Sequence, residues 1–144
     1  MSKRNLITIV VSVSLVMFFA CWQVNAQTKK VVKTISFDGG SCQLYELVKN
    51  SMFAPANMQE NEKAFMLRLK CSLKQNAGAD KLSVLYDKGE FVAPDGKRYK
   101  ASVSALKWES DDVAIYSLIV AIPKDADVET LKFVYSNQVL LLNK

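Results

Sequence analysis

Alternation of apolar and polar residues dominates the chain from Val31 onward. The clearest stretch places apolar side chains at every second position: Phe65, Leu67, Leu69, Cys71 and Leu73. The intervening positions are Met66, Arg68, Lys70, Ser72 and Lys74. A period of two is typical of a β-strand with one buried face. We therefore predict a central core strand over residues 65–73.

Shorter segments follow the same scheme between turn residues. The predicted strands are Val31–Phe37, Ser41–Lys49, Leu82–Tyr86, Phe91–Val92, Arg98–Ala101, Val113–Ile122, Leu131–Tyr135 and Val139–Leu142. Asp38-Gly39-Gly40 and Pro94-Asp95-Gly96 predict tight turns, because glycine adopts positive φ without steric cost. Seven to eight strands at these spacings predict an all-β, immunoglobulin-like antiparallel β-sandwich.

Two segments leave alternatives open. Cys42–Phe53 contains no proline and has Leu44, Leu47 and Val48 at helical spacing, but we favour a strand there. Ala54–Lys63 is a polar link opened by Pro55. It is either a crossover between the two sheets or a mobile loop.

The N-terminus carries the three parts of an export signal. Lys3 and Arg4 precede an uncharged apolar run from Leu6 to Trp22, and the small residues Val24 and Ala26 follow. This order is typical of a secretory signal that is cleaved before Gln27. We predict two parts, a signal peptide at 1–26 and one domain at 27–144.

Two other fates of this segment remain open. Phe18-Phe19-Ala20-Cys21 resembles a lipoprotein signal, in which Cys21 would be acylated and become the new N-terminus. An uncleaved anchor is the third alternative, because the uncharged stretch from Asn5 to Thr28 is just long enough to span a bilayer. The expected location is secreted or periplasmic, or alternatively lipid-anchored at the cell envelope.

Charge argues against a nucleic-acid partner. Without Lys3 and Arg4 the 19 basic residues fall to 17, against 14 acidic residues, so the predicted mature chain is only weakly basic. The basic residues are scattered among acids rather than grouped in a stripe. We expect no nucleic-acid partner, and membrane contact only through a lipid or an uncleaved N-terminal anchor.

The cysteines leave one pair in the predicted domain, Cys42 and Cys71. An oxidising compartment favours a structural disulfide between them. Buried free thiols and reactive thiols are the alternatives, and Cys71 lies on the apolar face of its strand, where thiols are inert.

The absence of histidine excludes much chemistry. No Ser-His-Asp or Cys-His site and no histidine-ligated zinc or haem can be built. The acidic residues Asp125, Asp127 and Glu129, with Asp111-Asp112, are candidate calcium ligands. Their spacing lacks the pattern of a dedicated calcium loop, so solvated charge is favoured. We expect no catalytic residue, no metal and no cofactor.

Two aromatic residues stand among charged neighbours and are candidates for a binding surface. Trp108 lies in Lys107-Trp108-Glu109-Ser110, and Tyr99 lies between Arg98 and Lys100. Exposed tyrosine and tryptophan often anchor partners. Core-edge packing is the alternative for both, and the alternation around Tyr99 favours burial of its ring.

Residues 64–142 resemble the telokin-like immunoglobulin-fold domain of bacterial secreted proteins and lipoproteins, whose function is unknown. The residues that carry the resemblance are the strand Phe65–Leu73, the segment Phe91–Tyr99, and Leu118–Pro123 followed by Leu131–Tyr135. The resemblance implies a seven-stranded sandwich and export, and supplies no catalytic residue.

The expected function is a secreted or envelope-associated, non-catalytic binding module for a protein or cell-surface component. A small histidine-free hydrolase or lyase that uses carboxylates is the first alternative. A structural accessory subunit of an envelope complex is the second.

Overall fold

The computed structural model describes residues 28–143. The predicted signal peptide at 1–26, its cleavage before Gln27 and the lipidation candidate Cys21 lie outside the described residues. Within residues 28–143, no helix is long and apolar enough to cross a bilayer.

The described chain is built mostly of strands, with one short helix and two 3₁₀ turns. The strands are β1 (Lys30–Val32), β2 (Thr34–Phe37), β3 (Gly40–Val48), β4 (Glu62–Leu73), β5 (Glu90–Val92), β6 (Arg98–Tyr99), β7 (Val103–Trp108), β8 (Val113–Pro123), β9 (Lys132–Tyr135) and β10 (Gln138–Leu141). The helix α1 spans Ser83–Lys88, and the 3₁₀ turns span Ala79–Lys81 and Val128–Thr130.

The strands form two five-stranded sheets that pack face to face. Sheet A has the order β1-β10-β9-β5-β6, and sheet B has the order β2-β3-β4-β8-β7. Three aromatic rings hold the centre of the core: Phe91 packs edge-on against Phe65 at 5.2 Å between ring centroids and lies 5.1 Å from Phe133. The predicted all-β sandwich is confirmed, with more strands than the seven to eight expected.

The strand predicted with the strongest alternation lies in the middle of sheet B. β4 is hydrogen-bonded to β3 on one side and to β8 on the other. Its five alternating apolar side chains, from Phe65 to Leu73, are all buried against sheet A. The prediction of a central core strand is therefore confirmed.

Both predicted glycine turns form hairpins. Asp38 and Gly39 connect β2 to β3, and Gly40 follows with φ of 154°. Gly96 has φ of 87° in the turn between β5 and β6. These are backbone conformations that side chains with a Cβ rarely adopt, which explains the choice of glycine.

The two cysteines are directly opposite each other on neighbouring strands. Cys42 on β3 pairs in register with Cys71 on β4, and both side chains face the core. The sulfur atoms lie 2.00 Å apart, at disulfide-bonding distance.

The predicted strand Val31–Phe37 is in fact two strands. The chain leaves sheet A after β1 and enters sheet B at β2, with Lys33 between them. β1 is parallel to β10, so sheet A is mixed rather than purely antiparallel. Alternation alone does not reveal this switch, since the buried side chains Ile35 and Phe37 keep the period of two.

The prediction of a strand at Leu82–Tyr86 is wrong, because this segment is the end of a 3₁₀ turn followed by α1. Leu82 and Leu85 are fully buried, and their spacing of three places both on one helical face against the core. The hydroxyl of Ser83 donates to the carbonyl of Asp80, 2.6 Å away, which ties the turn to the helix.

Of the two alternatives for Ala54–Lys63, the crossover between sheets is wrong. The link connects β3 to β4, which are hydrogen-bonded neighbours in sheet B. The strand alternative for Cys42–Phe53 is confirmed as far as Val48, where β3 ends.

Candidate functional site

The outer face of sheet B, which points away from sheet A, carries three rows of side chains across β3, β4, β8 and β7. The cross-strand register defines an apolar row of Val48, Met66, Ile119 and Val103. A middle row contains Glu46, Arg68, Ser117 and Ala105. A basic row contains Gln43, Lys70, Ile115 and Lys107.

An open groove lies over the apolar and middle rows. Its volume is about 720 Å³, and its lining residues are Met52, Phe53, Ala54, Met66, Arg68, Val103, Ala105, Ser117 and Ile119. The walls are contributed by β7 and by the loop between β3 and β4. The lining is mostly apolar side chain, with the guanidinium of Arg68 as its charged group.

Two residues of the β3–β4 loop stand out at the rim of this groove. Met52 is 98% exposed and Phe53 is 69% exposed, the highest values among the large apolar side chains of residues 28–143. A phenylalanine side chain buries well over 100 Å² when it is covered. Leaving it in water therefore forgoes a stabilisation of about 2 kcal/mol.

Hydrogen bonds hold the loop in this position. The N–H of Ser51 donates to the carbonyl of Ala64 at 2.8 Å, which continues the ladder between β3 and β4. The hydroxyl of Ser51 accepts from the N–H of Phe53 at 3.1 Å and donates to the carbonyl of the same residue at 3.0 Å. The buried ring of Pro55 anchors the next turn.

A β-bulge supplies the polar end of the groove. The register between β3 and β4 shifts between Leu44 and Glu46, so Tyr45 is an extra residue on β3. The Glu46 carboxylate accepts from Arg68 at 2.6 Å, and the Arg68 guanidinium lies 5.6 Å from the centre of the Tyr45 ring. These contacts orient Arg68 along the middle row.

The two aromatic residues singled out in the sequence do not share a cavity. Trp108 is 43% exposed at the end of β7, beside a shallow depression formed with Glu109, Ser110 and Asp111. Tyr99 is half-buried on β6 and packs against the core, in line with the burial that its alternation favours. Neither residue lines the groove.

The acidic residues weighed as calcium ligands have other contacts. The Asp127 carboxylate accepts from the N–H of Glu129 at 3.0 Å and so caps a 3₁₀ turn. Glu129 pairs with Lys49 at 2.9 Å on the protein surface. Residues 28–143 contain no group of three or more histidine, cysteine, aspartate or glutamate side chains placed to hold a metal ion.

Residues 28–143 contain no buried carboxylate, because Ser117 is the single buried side chain among their polar and charged residues. The titratable group most affected by the fold is a phenol. Burial raises the pKa of Tyr116 above its ordinary value of 10.0, while a hydrogen bond with the Ser104 side chain acts in the opposite direction. Tyr116 lies on the inner face of β8 and not in the groove.

Sequence reasoning missed the groove, although two signals pointed to it. The run from Val113 to Ile122 is apolar on both faces, which is typical of a strand covered on both sides. Met52-Phe53 is an apolar pair immediately before a polar link. Their meeting depends on β7, a strand that the turn signals did not predict.

Comparison of the chain with known protein families, with curated proteins and with solved structures finds no match.

Proposed function

We propose that this protein is a secreted or envelope-associated, non-catalytic binding module that holds a protein segment on the outer face of sheet B. The observation that carries the proposal is the exposure of Met52 and Phe53 at the rim of a mostly apolar groove. Exposed apolar clusters of this kind on a soluble domain mark interaction surfaces.

The proposed fold family is the immunoglobulin-like, telokin-like sandwich. Counting from β3 as strand A, sheet B has the order A-B-E-D, and β10, β9, β5 and β6 of sheet A have the order G-F-C-C′. Immunoglobulin sandwiches use this division of strands between their sheets. β1 and β2 precede this set, and the resemblance, which begins at Ala64, covers β4 and the strands after it but not β3.

The rows predict the chemistry of the ligand. Apolar side chains of a partner would cover Met52, Phe53 and Val103, the exposed large apolar side chains that line the groove. Lys107 lies two rows away, and its charge favours an acidic group at that end of the ligand. Lys70 in the same row is already paired with Glu109, 3.4 Å away. An extended or helical protein segment with apolar anchors and an acidic end fits both requirements.

The first test uses a small probe with the same two chemical features, the fluorescent apolar anion anilinonaphthalene sulfonate. We expect its fluorescence to rise on the wild-type protein and the rise to be largely lost in Phe53→Ser. Val31→Ser is the matched control, because Val31 is 59% exposed on β1 of sheet A and does not line this groove. Equal losses in the two variants would overturn the proposal.

The second test identifies the partner. A photo-crosslinking phenylalanine analogue at position 53, in cells that make the protein, is expected to capture one defined protein. The same analogue at Leu141, another exposed apolar residue, is the control. The captured partner should bind Phe53→Ser at least about tenfold more weakly than wild type, the loss typical of an aromatic anchor.

The proposed location rests on the Cys42–Cys71 pair at bonding distance, since disulfides persist outside the reducing cytosol. Intact mass and N-terminal sequencing of the purified protein test it. A chain that begins at Gln27 indicates secretion, and an acylated Cys21 indicates a lipid anchor. A chain that retains Met1 with both thiols free would contradict the proposed compartment.

A further inference from the structure

β7 is an edge strand with only one of the usual protections, a single lysine. It is the last strand of sheet B, and no described strand is hydrogen-bonded to its far side. Natural edges are normally protected by proline, by charged side chains such as lysine, or by a bulge. β7 contains no proline, has Lys107 as its single charge, and pairs with β8 without a register shift.

The backbone groups that β7 offers to a partner can be identified. The N–H of Glu109 donates to the carbonyl of Val113 at 2.9 Å. Because hydrogen-bonded and non-hydrogen-bonded pairs alternate in an antiparallel ladder, the odd-numbered residues of β7 face β8. Ser104, Leu106 and Trp108 therefore direct their N–H and C=O groups to the open side.

We propose that β7 pairs with β7 of a second copy of this chain, antiparallel, about a two-fold axis at Leu106. In this register Leu106 faces its own equivalent, and Ser104 faces Trp108 of the second copy. These are the three residues whose backbone groups point outward, so every offered donor and acceptor meets a partner. The inference goes beyond the proposed function, because the pairing needs no ligand in the groove.

Side chains agree with this pairing on both faces of the sheet. On the inner face, the exposed Trp108 ring would lie beside Ser104 and Leu106 of the second copy. On the outer face, Lys107 would lie opposite Ala105, so no like charges face each other across the strands. The strand pairing thus accounts for the exposure of Trp108, which the groove leaves unused.

Charge at the two ends of β7 also favours a second copy as the occupant. Lys100 precedes the strand, and Asp111 and Asp112 follow it, whereas Glu109 is paired with Lys70 of its own chain. In an antiparallel pair, the acidic end of each strand lies alongside the basic start of the other. One surface is therefore complementary to itself, as an interface with two-fold symmetry requires.

A neighbouring register, centred on Ala105, is less suitable. It would pair Trp108 with Ser102, whose backbone groups are already used. The carbonyl of Ser102 accepts from the hydroxyl of Tyr86 at 3.2 Å, and its N–H donates to Ile119 at 2.8 Å.

Two variants at Ala105 test the pairing and its register. The dissociation constant of self-association is measured by sedimentation velocity, on protein purified from cells that express the full chain. Ala105→Lys places a charge opposite Lys107 of the second copy, twice per dimer, and should raise the dissociation constant about fivefold. Ala105→Glu should lower it by a similar factor. Ala105 is exposed, so the isolated fold should tolerate both substitutions. Because Ala105 also lines the groove, self-association is measured without any ligand.

A wild-type protein that stays monomeric up to about 1 mM would overturn the proposal. The open edge of β7 would then be expected to pair with a strand of another protein. Equal responses of the two variants would overturn the register. This test of self-association is separate from the test of the groove, because it uses no ligand. Phe53→Ser, the variant that tests the groove, leaves β7 unchanged.

Discussion

The two faces of sheet B are made by the same strands but differ in the pattern of their side chains. On the inner face, the side chains of β4 and β8, the phenol of Tyr116 among them, are buried in the core cluster that contains the three phenylalanine rings. On the outer face, the neighbouring positions form an apolar row, a mixed row and a basic row. The inner face therefore holds the sandwich together. On the outer face the side chains change from apolar to basic along the strands, an arrangement that suits a binding surface.

The largest expected difference between the faces comes from neighbouring residues of β4. Leu67 is fully buried on the inner face, and Leu67→Ala should lower the free energy of unfolding by about 4 kcal/mol through lost contacts and a cavity. Met66 is half-buried on the outer face, and Met66→Ala should cost about 1 kcal/mol. Urea denaturation measures both. Similar losses would show that the outer face is also structural.

The cysteine pair provides the second comparison. The double variant Cys42→Ala/Cys71→Ala removes a link between residues 29 positions apart, which should cost about 3.5 kcal/mol in the chain-entropy account. Ser41→Ala/Ser72→Ala is the control, because these residues are the adjacent cross-strand pair on the outer face. We expect the control to change stability by less than about 0.5 kcal/mol. A similar effect of mild reductant and of the cysteine variant would support the bond.

A smaller, pH-dependent effect is expected for the inner-face phenol. Burial raises the pKa of Tyr116 in the folded protein above its value of 10.0 in the unfolded chain. The unfolded chain therefore loses its proton first, and stability falls as pH rises above 10. In Tyr116→Phe this fall should be shallower, although the lost hydrogen bond costs about 1 kcal/mol at neutral pH. Parallel alkaline unfolding curves for the two proteins would contradict this expectation.

The smallest effect is expected on the outer face, at the ion pair of Arg68 and Glu46. Both groups are partly exposed to solvent, so Glu46→Gln should change the free energy of unfolding by only about 0.5 kcal/mol. The same variant frees Arg68 to turn along the groove, so binding of the anionic probe should change more than stability does. A loss of stability like that of Leu67→Ala would assign the pair to the fold rather than to the surface.

Local features were predictable where one pattern dominated. Alternation identified β4, and glycine chemistry identified the hairpins at Asp38-Gly39 and at Gly96, since both signals depend on residues adjacent in the chain. The pattern misled at Leu82–Leu85, where a spacing of three marks a helical face in a segment too short for the period to be distinguished. β7 was not predicted, because an edge strand buries little side-chain area and its sequence shows almost no alternation of apolar and polar residues.

By itself, the sequence determined the all-β class, the central strand, two hairpins and the candidate cysteine pair. Tertiary structure alone decided that residues 30–37 divide between the sheets, that Cys42 and Cys71 are direct neighbours, and that Met52 and Phe53 meet Met66 and Ile119 at one groove. The physical reason is how far apart in the chain the interacting residues lie. Periodicity and turn geometry arise from residues a few positions apart, whereas sheet order, edges and surface rows arise from pairing between strands that lie far apart in the chain.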